Sequence, residues 1–430
     1  MLKWKGPCAG PRSRSGGRAA LILAALLFAV AAGAQTAPEA PSVCAEAGAI
    51  ARGLSDITGM KLLRPVPCGP IAKNQINEFL KQRFKEEAKP SDVRAEELVL
   101  KKFGFVPPDF DLLKTTVDLL TEQAAAFYDY RRRKLFIGES TAAAAGEPGE
   151  AQEMLLAHEL SHALADQHFN LAKYMKKGRE SDDGSAARLA VMEGQATWLM
   201  SEYMARKAGR SLENSPALAA AMSAMSEGGA GQFPVYENAP LYLRATLVFP
   251  YAEGMLFQNA LIEHDGQAGF TEPFLRAPVS TQQIYHLEKY FSSVKPASPA
   301  LPVLRLPHGY KALVDGSLGE LDHAILIEQF AGKEAAGQIA PHWRGSAFAL
   351  RENKKAGRVV LLYAVEWDSQ ESASRYFTFY KEALAKKWKT LSIAAETADS
   401  AAGSGDDGRF ELRRDGAIVT SVEGLAPALH

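Results

Sequence analysis

The first long run with a helical period lies at 71–102, "IAKNQINEFLKQRFKEEAKP" onward. Ile76, Phe79, Leu80 and Leu100 are among its apolar positions, charges share one face, and Pro90 breaks the pattern. "QAAAFYDYRRRKLFIGES" then sets two short aromatic and β-branched runs on either side of an arginine-rich turn, which predicts a hairpin. "TAAAAGEPGE" reads as a loop. Two helical patterns follow at 150–177 and roughly 185–208, joined by "KKGRESDDGS", whose Gly, Ser and Asp end one helix and cap the next.

Residues 209–240 are rich in Ala, Ser and Gly and weakly patterned, so a flap or mobile loop is expected there. A further helical pair is predicted around 241–263 and 280–292, and "SSVKPASPALPVLRLP" reads as a linker. Beyond it, "SAFALRENKKAGRVVLLYAVEW" alternates like a hairpin, "SQESASRYFTFYKEALAKKW" has the period of an amphipathic helix, and "GRFELRRDGAIVTSVEG" alternates again. No internal repeat is visible. The predicted fold class is α+β: a leader over 35–70, a mainly helical domain with a small edge sheet over 71–295, a linker over 296–312, and a small C-terminal α+β domain over 313–430.

Composition narrows the function classes. The 430 residues are 47% hydrophobic and 23% charged, which suits a globular chain with a sizeable core. Forty-nine basic against 50 acidic residues leave a net charge of -1 with no basic stripe, so nucleic acid is not an expected partner. The start, "MLKWKGPCAGPRSRSGGR", is basic and runs into "AALILAALLFAVAAGA", which ends in Ala32-Gly33-Ala34. This is the pattern of a secretory signal over 1–34, cut after Ala34, so the expected location is secreted or periplasmic. No Cys stands at the cut, and no later segment approaches 18 uninterrupted apolar residues, so no stable membrane span is expected after cleavage. Cys8 leaves with the signal. Cys44 and Cys68 remain, in a compartment that permits oxidation, and a disulfide between them is expected.

The chemistry concentrates in "MLLAHELSHALADQH", residues 154–168. His158-Glu159-Leu160-Ser161-His162 is an HExxH motif. Two His four apart on a helix leave the same face one turn apart, the spacing at which a single Zn²⁺ takes an imidazole from each. Glu159 can then act as general base toward a zinc-activated water. The other positions around this helix are apolar, so the charged residues are drawn into a partly buried place that is costly without partners.

A third ligand is required, and two residues offer one. Glu193 is a lone acid in "LAVMEGQATWLM", on the next apolar helix. His168 follows His162 by six residues, the separation used by HExxHxxGxxH proteins, but Ala165 stands where those chains place the glycine that turns the chain. A continuing helix carries His168 off the face of His158 and His162, which favours Glu193. Asp166, one turn after His162, is a candidate acceptor for a ligand imidazole. Tyr251, in "FPYAEG", and His286 are candidate donors to an oxyanion formed during peptide hydrolysis. His264, His308, His323, His342 and His430 have no ligand-like spacing, and Trp343 and Trp367 read as core residues of the C-terminal unit.

HELSHALADQHF followed by an EG-x-A helix resembles the gluzincin clan of zinc metallopeptidases, the thermolysin-like group. More closely, the chain resembles a family of secreted HExxH proteins with a HEL-x-HAL-x-DQ-H-F helix, an EG-x-A helix and a later P-x-S-T-x-Q-I-x-H segment, here "APVSTQQIYHLEKY". The resemblance covers about 60 to 340. It implies a gluzincin-like catalytic domain in which His158, His162 and Glu193 bind zinc and Glu159 is the base, with peptide or protein as substrate. By analogy with the clan's architecture, the "AAAFYD" strand is a sheet edge able to hold an extended substrate. One position departs from the clan: where an acid often stands one turn after the ligand glutamate, this chain has Thr197. The alternative is a proteolytically silent zinc-containing envelope or binding protein; an intact Glu159 favours the enzyme. Oligomeric state is not legible.

Overall fold

The computed structural model describes residues 44–87, 89–123, 126–138, 149–213, 215–227 and 233–426. The signal expected over 1–34, most of the "TAAAAGEPGE" loop and His430 lie outside the described residues.

The leader is more structured than its sequence predicts. It forms helix α1 (Ala47–Thr58) and strand β1 (Cys68–Ile71), and the Cys44–Cys68 disulfide ties the two together. The pattern at 71–102 is two helices, α2 (Lys73–Glu87) and α3 (Pro90–Phe103), with Pro90 opening the second, where its missing N–H costs nothing. After α4 (Leu112–Gln123) come β2 (Ala126–Asp129) and β3 (Lys134–Gly138), the predicted hairpin, in antiparallel register with Tyr128 opposite Leu135. β1 joins β3 in parallel, so the sheet order is β1-β3-β2 and β2 is an edge.

The helical pattern at 150–177 divides into α5 (Glu150–Phe169) and α6 (Leu171–Gly178). Asn170 makes the break: it adopts the left-handed conformation at φ 54°, ends α5, and caps α6 with its side chain. The long helix α7 (Asp182–Lys207) starts at Ser181, whose hydroxyl accepts the Gly184 N–H. The expected flap at 209–240 is corrected: among its described residues stands α8 (Pro216–Glu227), followed by one helical turn at Pro234–Asn238. Alanine explains the error, because it favours helix strongly yet gives little hydropathic contrast between faces. Helix α9 (Leu241–Asp265) packs along α7, and Gly194 and Gly254 mark their closest approach. The second helix expected at 280–292 is broken at His286 into two single turns.

The C-terminal unit is an antiparallel sheet of seven strands, β4 (Lys311–Gly316), β5 (Trp343–Asn353), β6 (Arg358–Trp367), β7 (Leu391–Thr397), β8 (Ser400–Gly405), β9 (Gly408–Asp415) and β10 (Ile418–Leu425), in the order β4-β5-β6-β10-β9-β8-β7. Helices α10 (Glu320–Ala331) and α11 (Gln370–Lys387) pack on it. Both predicted hairpins and the predicted helix are present, and Trp343 and Trp367 are buried.

The stretch 296–312 does not interrupt the core. The main apolar cluster runs from Ala95 to Val419 and draws on α3, α7, α9, α10 and the sheet. Phe103 sets its ring against Phe348 at 5.6 Å and Tyr363 at 5.1 Å. The stretch itself lies against the sheet, with Ala297 bridged to Gly345 and Leu301, Leu306 and Tyr310 packed beside Val360 and Leu362. The α+β class therefore holds, with the helical and sheet parts joined through shared packing. Among the described residues no helix is long and apolar enough to cross a membrane.

Candidate metal centre

Helix α5 is buried around most of its circumference by Leu155, Leu156, Leu160, Ala163 and Leu164, and this holds its polar residues inside the protein. His158 is 1% exposed, His162 8% and Glu193, from α7, 2%. Their ligand atoms converge: His158 Nε2 is 3.1 Å from His162 Nε2, and each is 3.2 Å from Glu193 Oε2. Two imidazole nitrogens and a carboxylate oxygen, buried and aimed at one point, form a group that could hold a metal ion. The same donors fit zinc, which takes nitrogen and oxygen ligands in such sets.

The electrostatics are those of an anion held between two bases. Burial works to raise the Glu193 carboxyl, but His162 and His158 outweigh it and hold the group down at about 2. Burial lowers His158. His162 is raised in spite of burial, because the Glu193 carboxylate favours its charged form.

Glu159 sits beside this group, 4% exposed, and burial pushes its carboxyl up to about 8. Its Oε2 accepts the backbone N–H of Tyr128 at 2.7 Å. The Tyr128 hydroxyl donates to Asp166 Oδ2 at 3.0 Å, so one residue of β2 is fastened to α5 at both ends. Sequence reasoning missed Tyr128; the available signal was a hydroxyl-bearing aromatic in a strand already expected to border the site.

Tyr251 is brought to the group. Its ring stacks on His158 with centroids 6.0 Å apart, and its hydroxyl bonds to Glu193. Burial and the nearby Glu193 carboxylate raise it well above the ordinary tyrosine range. His286 is placed elsewhere, with Nε2 2.8 Å from Glu320 Oε1, and makes no contact with the ligand group among the described residues. His168 is exposed and faces the Lys61 carbonyl at 2.9 Å. α5 continues through Ala165 without turning, which rotates His168 away as helix geometry requires.

Asp166 is a correction. Its Oδ1 accepts the Leu171 N–H at 2.9 Å at the corner between α5 and α6, and its other oxygen takes Tyr128; neither meets a ligand imidazole. His162 Nδ1 and the Thr197 hydroxyl are buried with no hydrogen-bond partner among the described residues. The chain matches no family model, and neither a curated protein nor a solved structure matches it.

Proposed function

We propose that this protein is a zinc-dependent metallopeptidase that acts outside the cytoplasm on peptide or protein substrates. The observation that carries the reading is the buried convergence of His158, His162 and Glu193 with the Glu159 carboxylate beside them. Zinc held by such a set supplies Lewis-acid polarisation of a carbonyl and lowers the pKa of water.

The chain's own residues supply the rest. Glu159 takes a proton from the attacking water and gives it to the leaving amine as the C–N bond breaks. Tyr251 has its hydroxyl at the ligand group and donates to the developing oxyanion. Of the two candidate donors Tyr251 is the one that lies against His158 and Glu193, whereas His286 is bonded to Glu320. Tyr128 spends its N–H on Glu159, away from β3, so by the alternation of antiparallel pairing it is the Tyr128 carbonyl and the backbone groups of Ala126 that remain on the side of β2 away from β3. An extended peptide laid along that edge is held for attack.

The test combines elemental analysis of the mature protein with cleavage of a mixed peptide pool. About one zinc per chain and cleavage abolished by a chelator are expected. Full zinc without any cleavage would instead favour the silent zinc-binding protein.

A further inference from the structure

The strands of the three-stranded sheet send alternate side chains to its two faces. Ala126, Leu135 and Ile137 pack with Leu155, Leu156 and Leu160 of α5, on the side of the metal centre. Ile71, Phe127 and Phe136 belong to a separate apolar cluster on the other side, with Ile76, Leu80 and the half-buried Phe79 of α2. On that far side lies an open groove of about 800 Å³, lined by Ile71, Phe79 and Phe136. Its volume falls in the range of small-molecule sites.

The rest of its wall is made largely of side-chain amides. Gln75, Phe79 and Gln82 stand four and three residues apart on α2, so they share a helix face, with an amide one turn to each side of the ring. Asn74 and Asn77 line the groove beside them. Each amide is held by one half. Gln75 Oε1 accepts the Ala72 N–H at 3.1 Å and Asn74 Oδ1 the Gln75 N–H at 2.9 Å, while Asn77 Nδ2 donates to Thr121 at 3.0 Å and Gln82 Nε2 to Glu86 at 2.9 Å. Among the described residues the amide nitrogens of Asn74 and Gln75 and the amide oxygens of Asn77 and Gln82 are left uncommitted. The charges at the groove cancel in pairs, Glu78 with Lys81 at 3.3 Å and Arg132 with Asp129 at 3.6 Å.

These features select among occupants. Phosphate-rich chains require a net positive groove, which this is not. An added protein strand is disfavoured because the edge strand β1 carries Pro70, which has no N–H to offer it. A sugar presents apolar C–H faces together with hydroxyls that each donate and accept, and aromatic rings with side-chain amides match both without net charge.

We infer that this groove binds a neutral oligosaccharide, on the face of the sheet opposite the metal centre. Gln75 donates to, and Gln82 accepts from, hydroxyls on either side of a ring seated beside Phe79. The two amides lie about 10 Å apart along the helix, so the groove takes a chain of sugars and not a single one. The site stands whether or not the metal centre hydrolyses peptides.

Isothermal titration of the mature protein tests this with cellotetraose and N-acetylchitotetraose, which separate plain hydroxyl from acetamido recognition, beside an uncharged hexapeptide of alanine and serine. Saturable binding of at least one tetrasaccharide is expected, with Kd on the order of 1 mM or below. Gln75→Ala combined with Gln82→Ala is expected to weaken it about tenfold or more, while zinc content stays unchanged. Both residues are exposed, so the fold should survive; should the double variant not fold, each single substitution carries the same test with a loss of about threefold. Binding of neither sugar, binding that survives the substitutions in folded protein, or tighter binding of the hexapeptide through the same residues overturns the inference.

Discussion

Gly194 lies against Gly254 with no space between their backbones: a β-carbon on Gly194 would come 2.1 Å from the Gly254 carbonyl carbon. Glu193 is the chain neighbour of the first glycine, and Tyr251 precedes the second by one turn. The contact that joins α7 to α9 thus also sets the tyrosine beside the ligand. Gly194→Ala is expected to push the helices apart, destabilising the protein by about 1–3 kcal/mol or more and weakening metal binding. Urea unfolding and metal titration of the folded variant check this. An unchanged midpoint with unchanged affinity would show that the crossing has slack.

Removal of the third ligand should separate the two candidates. Glu193→Ala is expected to release the metal, and His168→Ala to retain it, because only the first side chain reaches His158 and His162. Metal content is measured alongside circular dichroism, since a buried acid removed from an apolar helix can leave the fold intact or stabilised. Metal kept by folded Glu193→Ala and lost from His168→Ala would reverse the assignment.

Glu159→Gln is expected to keep the metal while lowering kcat on the order of 100-fold or more, because the amide cannot take a proton. The variant retains an oxygen to accept the Tyr128 N–H, so the strand should stay in place. Near wild-type turnover would remove Glu159 from the chemistry.

A pH dependence should arise far from the metal group. Asp322 accepts bonds from the Gly319 N–H at 2.7 Å and the Tyr242 hydroxyl at 3.1 Å, yet burial, with Asp183 and Asp182 close by, pushes it up to about 7 from an ordinary 3.8. Its folded pKa is raised, so its stabilising share is complete at low pH and is lost as pH climbs from about 4 to about 7. Asp182, pushed up to about 6 by burial, acts in the same direction. Buried His323, brought down to about 4 by burial, acts in the opposite one and removes stability as pH falls below 6.5. Asp322→Asn is therefore expected to gain on wild type between pH 5 and pH 8, by on the order of a few kcal/mol. Thermal unfolding across that range reads it directly. A constant difference would mean that Asp322 is ionised throughout.

The ligand set was legible because metal chemistry leaves local traces: two His at helical spacing, and an acid where only apolar residues belong. Tyr128 left a fainter one, its hydroxyl in a strand near the site, since the other half of its part is played by a backbone N–H, which every residue but proline possesses. The break at Asn170 depends on one left-handed residue within a continuous helical pattern. β1 escaped because a four-residue strand paired in parallel to β3 owes its existence to a partner more than sixty positions away. The α8 helix was lost in alanine, which signals helix by propensity and not by periodicity.

The unbroken apolar cluster from Ala95 to Val419 has a thermodynamic consequence. Helical and sheet parts that share one interior should melt in a single cooperative transition, with neither half populated alone. A ligand that binds the native chain and not the unfolded one stabilises everything that unfolds with the site. Metal bound at His158, His162 and Glu193 should therefore raise the unfolding temperature reported by Trp343, Trp367 and Trp388 on the sheet side, although none of the three touches the ligands. A sheet that melted independently of metal would show that the shared interior does not couple the two parts.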